Sequence, residues 1–144
     1  MNTMLRRSIF AVSAALLLAA APALADTVKF KADLKGAMEV PAADSKGTGA
    51  VDASYDTATK ALTWTITYAD LSGATTAAHF HGPADVGKNA PPVVPIPAAS
   101  LASPIKGTAT LTDAQAADLQ AGKWYFNVHS AKFPDGEIRG QVTK

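Results

Sequence analysis

The chain of 144 residues contains no cysteine and only three histidines. The lack of cysteine excludes disulfide bonds, thiolate metal ligands, a catalytic cysteine and a lipid-modified cysteine at the start of a mature chain. Any metal site must therefore use nitrogen or oxygen ligands, with a methionine thioether as the remaining sulfur donor.

The sequence also lacks any concentration of positive charge. Thirteen Lys and Arg residues oppose twelve Asp and Glu residues, and two of the basic ones, Arg6 and Arg7, stand near the N-terminus. Residues 26–144 keep eleven basic and twelve acidic side chains, a formal charge of −1. Because these charges form no basic stripe, the sequence argues against binding to nucleic acid or to an anionic membrane.

No apolar run reaches the roughly 20 residues that a membrane-spanning helix needs. The longest run, Ile9 to Ala21, follows the two arginines and is interrupted by Ser13, and Ala23-Leu24-Ala25 has the small-x-small form of a signal-peptidase site. We therefore predict a cleaved signal peptide over 1–25 and no membrane span. Residues 26–144 would then form a single domain in the periplasm or outside the cell.

Alternating apolar and polar residues predict a chain made mainly of short β-strands. Thr112 and Gln115 form a capping box that predicts one short helix, which Gly122 ends. The segment from Gly82 to Pro104 is rich in proline and predicts a long loop with a short edge strand near Val93. The predicted strands cover residues 28–35, 49–55, 62–68, 75–81, 107–111, 124–129 and 137–142.

This pattern favours an all-β fold, an antiparallel Greek-key-like β-sandwich with one short helix and a long Pro-rich loop. The alternation along each strand also predicts which face of the sheet each side chain occupies. It places Trp64 and Phe80 toward the core, and it places His79 and His81 together on the opposite face from Phe80.

The three histidines lie in two strand segments, His79-Phe80-His81 and Asn127-Val128-His129. Two histidines at alternate positions of one strand can converge on one ion, and a third from another strand completes a set of three nitrogens. We therefore predict a metal site formed by His79, His81 and His129. The alternative is that these histidines are structural and form hydrogen bonds to buried carbonyls.

Three imidazoles with one open position suit copper or zinc, and the affinity order favours copper when both are available. Copper is thus the expected cofactor, with zinc as the alternative. Ligating histidines usually donate their second ring N–H to an oxygen, for which Asp85, Glu137 and nearby backbone carbonyls are candidates. Met38 could add a thioether, although packing in a loop is its more common role.

The remaining polar residues give little support for catalysis. The sequence contains neither a nucleophile-elbow motif nor a phosphate-binding glycine motif, so we do not expect a hydrolase or a nucleotide-binding enzyme. Glu39, Glu137 and Arg139 could form an ion-pair cluster, and the favoured interpretation is a structural pair on a solvated sheet face. The alternative is that Arg139 steers an anionic ligand toward a metal. A redox enzyme that uses the open metal position is a third hypothesis.

Six short motifs, taken together and in their order along the chain, resemble the CHRD domain. This domain occurs in the developmental regulator chordin and in many bacterial exported proteins. The resemblance covers about Val28 to Val142, and it departs from the family pattern at Ala42 and at Ala90-Pro91, which affects loop shape more than chemistry. The matching motifs are Glu39-Val40-Pro41, AHFHGPAD (78–85), Pro92-Val93-Val94, the Leu111-Thr112 helix start, NVHS (127–130) and GEIRGQV (136–142).

The His-x-His strand and the later Val-His strand are more distantly similar to copper,zinc superoxide dismutase. That enzyme needs a further bridging histidine and extra zinc ligands, and this chain has no fourth histidine. The sequence therefore argues against a dismutase of that type.

The leading hypothesis is an exported protein that binds one transition-metal ion, copper before zinc, through His79, His81 and His129. Its rival is an extracellular module that binds a protein or a polysaccharide through its Pro-rich segment and sheet edges and in which the histidines are structural. The sequence leaves the partner open.

Overall fold

The computed structural model describes residues 24–144. The predicted signal peptide lies outside the described residues, except for its last two positions. In the described part the chain forms eight strands, one α-helix and two single 3₁₀ turns, at Gly36–Met38 and Ala98–Ser100. The strands are β1 (Thr27–Lys35), β2 (Thr48–Asp56), β3 (Ala61–Ala69), β4 (Thr75–His81), β5 (Pro92–Pro95), β6 (Ile105–Thr110), β7 (Trp124–Ser130) and β8 (Ile138–Val142), and the helix is α1 (Asp113–Gln120).

The eight strands belong to a single antiparallel sheet in the order β5-β4-β7-β8-β1-β2-β3-β6. The link between β1 and β8 is narrow: it consists of the pair Lys35–Arg139 and a bridge between Lys31 and Thr143. Because few residues pair at this junction, the sheet can fold over on itself there. The two halves, β5-β4-β7-β8 and β1-β2-β3-β6, face each other as the layers of a sandwich.

Aromatic residues from both halves fill the space between the layers. Trp64 of β3 and Phe80 of β4 stand far apart in the strand order, yet their ring centroids lie 5.3 Å apart in an edge-to-face contact. Phe126 of β7 contacts Phe80 at 4.7 Å. All three side chains are buried, which confirms the predicted core positions of Trp64 and Phe80 and the all-β sandwich.

The neighbour of Trp64 on the edge strand β6 is a glycine for a packing reason. Gly107 pairs directly with Trp64, and a Cβ atom at position 107 would lie 2.6 Å from the indole ring. No side chain fits at that distance, so glycine lets the indole lie flat under the strand.

The helix and the Pro-rich loop also follow the prediction. Thr112 accepts from the backbone N–H of Gln115, and the Gln115 side chain accepts from the backbone N–H of Thr112, so the capping box is present. The helix ends at Gln120, and β5 is the short edge strand within the Pro-rich segment. Proline suits this edge because it cannot donate to a further strand.

The outer face of β4, β7 and β8 is polar and only partly open to water. The segment 82–91, which leaves directly from His81, crosses this face and covers it. Arg139 and Gln141 of β8 donate to backbone carbonyls of Lys88 and Ala84 in that segment. The face therefore forms a partly covered polar layer on the opposite side of the sheet from the apolar core.

Candidate metal centre

The pairing of β4 with β7 brings the three histidines together. His79 lies opposite Asn127, and His129 lies one pair further along the same face, opposite Ala77. The Nδ1 atom of His79 is 3.2 Å from the Nε2 atom of His129, and one nitrogen from each of the three rings can be chosen so that all lie within 4.8 Å of one another. The structure thus places the three predicted site residues in one cluster.

These separations are close to those of a metal complex. With nitrogen–metal bonds of about 2.0–2.1 Å, ligand nitrogens lie about 3 to 4 Å apart. The contact between His79 and His129 already meets this condition. The widest allowed separation, 4.8 Å, exceeds it by less than an ångström, which a small ring rotation removes.

Backbone carbonyls determine which ring nitrogens are free. The Nδ1–H groups of His81 and His129 donate to the carbonyl oxygens of Ala90 and Pro134, each at 2.8 Å. A neutral imidazole carries one N–H, so the Nε2 atoms of these two rings present lone pairs. Metal-binding histidines are commonly oriented by such a hydrogen bond on the other nitrogen.

Of the groups predicted to orient the histidines, only the backbone carbonyls contact them. Asp85 forms an ion pair with Lys123 at the surface instead. Glu137 accepts hydrogen bonds from the hydroxyl of Ser45 and the backbone N–H of Ser72, both at 2.6 Å. The prediction that either carboxylate supports the histidines was wrong.

Asn127 is the site residue that sequence reasoning missed. Its Oδ1 atom lies 2.9 Å from Nε2 of His81 and 3.1 Å from Nε2 of His129, and the residue is buried. It stands two positions before His129 on β7 and therefore shares its face. That spacing was the available signal, but an asparagine in a strand has many structural roles, so the signal was weak.

The environment favours the neutral form of His79 and His81. Burial, reinforced by repulsion from His129 and His81, lowers the pKa of His79 to about 4. Burial also lowers the pKa of His81, although its hydrogen bonds to Ala90 and Asn127 act in the opposite direction. Because a metal ion binds the neutral imidazole, these shifts leave the ligands ready at neutral pH.

Arg139 and Glu137 do not form the solvated ion-pair cluster that the sequence predicted. Both are almost completely buried, and no ion pair joins them among residues 24–144. Arg139 instead donates to the side chain of Asn89 and lies 3.4 Å over the ring of Tyr125, which stacks in parallel on His81 at 4.7 Å. The prediction failed because connecting segments cover both side chains: segment 82–91 contacts Arg139, and the segments that carry Ser45 and Ser72 contact Glu137.

A cleft of about 400 Å³ opens next to the histidines. Its lining includes His81, His129, Asn127 and the carboxylates of Glu39 and Asp135. Burial raises the pKa of Glu39 to about 7, while Arg139 and a hydrogen bond from Asn127 act to lower it. The cleft gives an ion or a small ligand a route to the cluster.

Met38 is not part of this arrangement. It ends the 3₁₀ turn after β1, is 40% exposed, and does not line the cleft. Its position at the surface gives no support to a thioether ligand.

Comparison with known proteins supports the resemblance seen in the motifs. The sequence model of one family, described as the CHRD domain, matches residues 30–142. Neither a curated protein nor a solved structure matches the chain. The match covers most of the chain and all three histidines, and the protein belongs to the CHRD domain family.

Proposed function

We propose that this protein is exported and binds one transition-metal ion, copper in preference to zinc, through His79, His81 and His129. The observation that carries the proposal is the convergence of the three rings, with two Nε2 lone pairs directed inward by carbonyls that hold the opposite nitrogens. Such a set of nitrogen acceptors is what a borderline transition metal requires.

With both Nε2 atoms as acceptors, the two contacts that Oδ1 of Asn127 makes, with His81 and with His129, lack a proton. The Nδ1–H group of His79 can donate a hydrogen bond to the Nε2 atom of His129, 3.2 Å away. Nε2 of His81 and Oδ1 of Asn127 then face each other at 2.9 Å as two acceptors. Two buried lone pairs at that distance repel, and a cation between them turns the repulsion into attraction.

Copper is favoured over zinc by the order of affinities for nitrogen sites. The absence of cysteine fits a site that uses only imidazole and oxygen donors. The membership in the CHRD family supports an extracellular module, and the signal-peptide pattern of residues 1–25 supports export. In the described part of the chain, no helix has the length and apolar character needed to cross a membrane.

The test is titration of residues 26–144 with Cu(II), on protein purified without a polyhistidine tag. We expect one equivalent to bind, with nitrogen hyperfine coupling in the electron paramagnetic resonance spectrum. The variant His79→Ala/His81→Ala/His129→Ala has no histidine left, and we expect it to lose this equivalent. Acetylation of the N-terminal amine in both proteins removes the background site that a free amine provides.

Circular dichroism must show that the triple variant is folded. If a folded triple variant binds Cu(II) as tightly as the unchanged protein, the site assignment is wrong. If neither protein binds copper or zinc, the histidines are structural, and the rival hypothesis of an extracellular protein- or polysaccharide-binding module takes its place.

A further inference from the structure

We propose that Asn127 supplies a fourth donor atom, Oδ1, so that the site is a set of three imidazole nitrogens and one amide oxygen. This inference rests on the proposed function and specifies the coordination of the same site. A set of this composition favours Cu(II), whose nitrogen and oxygen sites are commonly square-planar or tetragonal.

The distances between successive donor atoms carry the proposal. Oδ1 of Asn127 lies 2.9 Å from Nε2 of His81 and 3.1 Å from Nε2 of His129. The same Nε2 atom of His129 lies 3.2 Å from Nδ1 of His79. Donors at the corners of a square around a metal, with bonds of about 2.0–2.1 Å, lie about 2.9 Å apart along each edge. The three consecutive separations are thus close to the edge length of such a square.

The fold also determines which end of the amide faces the histidines. The Nδ2 atom of Asn127 lies on the side of the amide beside Gly136 and the Glu39 carboxylate, and Oδ1 lies on the side of His81 and His129. Gly136 closes this side of the amide: a Cβ atom at position 136 would lie 2.8 Å from Nδ2 and would clash with the Glu39 carboxylate. With Nδ2 on the side of Glu39, Oδ1 points toward the three rings.

Asn127 lacks any other partner for that oxygen. Its Oδ1 atom lies within hydrogen-bonding distance of His81 and His129 alone among the described residues, and the neutral rings present lone pairs there. The residue is 3% exposed, so it turns little of its surface to bulk water although it lines the cleft. A cation bound among these acceptors would satisfy all of them at once.

The experiment compares Cu(II) binding and electron paramagnetic resonance spectra of the unchanged protein with those of Asn127→Leu and Asn127→Asp. Asn127→Leu removes the oxygen at similar volume, and we expect Cu(II) binding about tenfold weaker or more, with a changed copper hyperfine coupling. Asn127→Asp keeps an oxygen donor, and we expect it to retain tight binding. Gln120→Leu is the matched control, because Gln120 is an exposed amide at the end of α1 that does not line the cleft, and its loss should leave the copper spectrum unchanged.

A second measurement does not depend on a buried substitution being tolerated. Among residues 24–144 the asparagines are Asn89 and Asn127, so protein labelled with ¹³C-asparagine in an Asn89→Asp background, which keeps an oxygen acceptor for Arg139, reports on Asn127. We expect a resolved coupling between copper and the amide carbon. Binding of one Cu(II) with no such coupling, and with an unchanged spectrum in a folded Asn127→Leu variant, overturns the assignment of Asn127 while the histidine site stands. Failure of the unchanged protein to bind copper overturns the proposed function itself.

Discussion

At the scale of single residues, the buried carboxylate of Glu137 stabilises the fold and does not belong to the site. It precedes β8 and accepts hydrogen bonds from Ser45 and Ser72, which belong to two different connecting segments. Burial acts to raise the pKa of Glu137, but the hydrogen bonds from Ser130, Ser45 and Ser72 outweigh it, and the pKa lies below its ordinary value of 4.5. The ionised form is therefore the one that the folded protein stabilises.

We predict that Glu137→Gln lowers the free energy of unfolding by about 1 to 3 kcal/mol at pH 7, because hydrogen bonds to a charged acceptor are replaced by weaker ones. A group whose pKa is lowered by folding stabilises the protein above its unfolded pKa and loses that effect as the pH falls through the folded pKa. The difference between the two proteins should therefore be largest at neutral pH and should shrink below pH 4.5. Urea unfolding at a series of pH values measures it.

Asp44→Asn serves as the control, because it changes an exposed carboxylate in the segment that carries Ser45. It should unfold like the unchanged protein at every pH. A Glu137→Gln variant whose loss of stability is the same at pH 3.5 and at pH 7 would show that the charge of Glu137 does not contribute.

At the scale of elements, the segment 82–91 determines the character of the outer face of β4, β7 and β8. Arg139 is the main link: it donates through Nη1 to the side chain of Asn89 and through Nη2 to the carbonyl of Lys88. The carbonyl of Ala90, the next residue along the same segment, accepts from Nδ1–H of His81. The orientation of a candidate ligand thus depends on the same segment that Arg139 anchors.

We predict that Arg139→Lys speeds hydrogen exchange at the backbone amides of Gly82, Ala84 and Lys88 by about tenfold. Lysine keeps the charge but lacks the planar fork that donates to two acceptors at once, so about 1.4 kcal/mol of anchoring is lost. Exchange measured by mass spectrometry on peptides of this segment gives the rate. The three amides are suitable reporters because each donates to a backbone carbonyl in the folded protein.

Lys106→Ala is the control, since Lys106 is exposed on β6 in the other half of the sandwich. In the Lys106→Ala variant, the amides of the segment 82–91 should exchange hydrogen at the same rate as in the unchanged protein. Equal exchange in Arg139→Lys as well would mean that other contacts, such as those of Gln141 with Ala84, hold the segment alone.

At the scale of the whole molecule, the candidate site is built from separate segments of one sandwich half. His79 and His81 come from β4, His129 comes from β7, and the carbonyl that orients His129 belongs to the turn before β8. A metal ion would therefore join segments that lie far apart in the sequence. Because the unfolded chain does not hold these ligands together, binding must stabilise the folded state.

We predict that Cu(II) at a free concentration of about 100 times its dissociation constant stabilises the protein by about 2.7 kcal/mol. For a domain of this size that corresponds to a rise of about 10 °C in the midpoint of thermal unfolding. Differential scanning calorimetry with and without copper measures the shift. The triple histidine variant should show no rise, and an equal rise in that variant would place the stabilising copper elsewhere.

Local sequence patterns predicted much of this protein. Alternation predicted the strands and the inward side of Trp64 and Phe80, and the capping box of Thr112 and Gln115 predicted the helix, because these features depend on neighbours along the chain. The motifs around the histidines also predicted the CHRD family. Alternation placed His79 and His81 on one face, which is a local property.

Only the tertiary structure decided what covers that face. The burial of Glu137 and Arg139, the carbonyls that orient His81 and His129, and the position of Asn127 between two rings all depend on strand pairing and on the segment 82–91. Asn127 and His81, for example, stand 46 positions apart in the chain and meet only because β4 pairs with β7. Periodicity describes which side of a strand a residue occupies, but it carries no information on which distant segment will pack against that side.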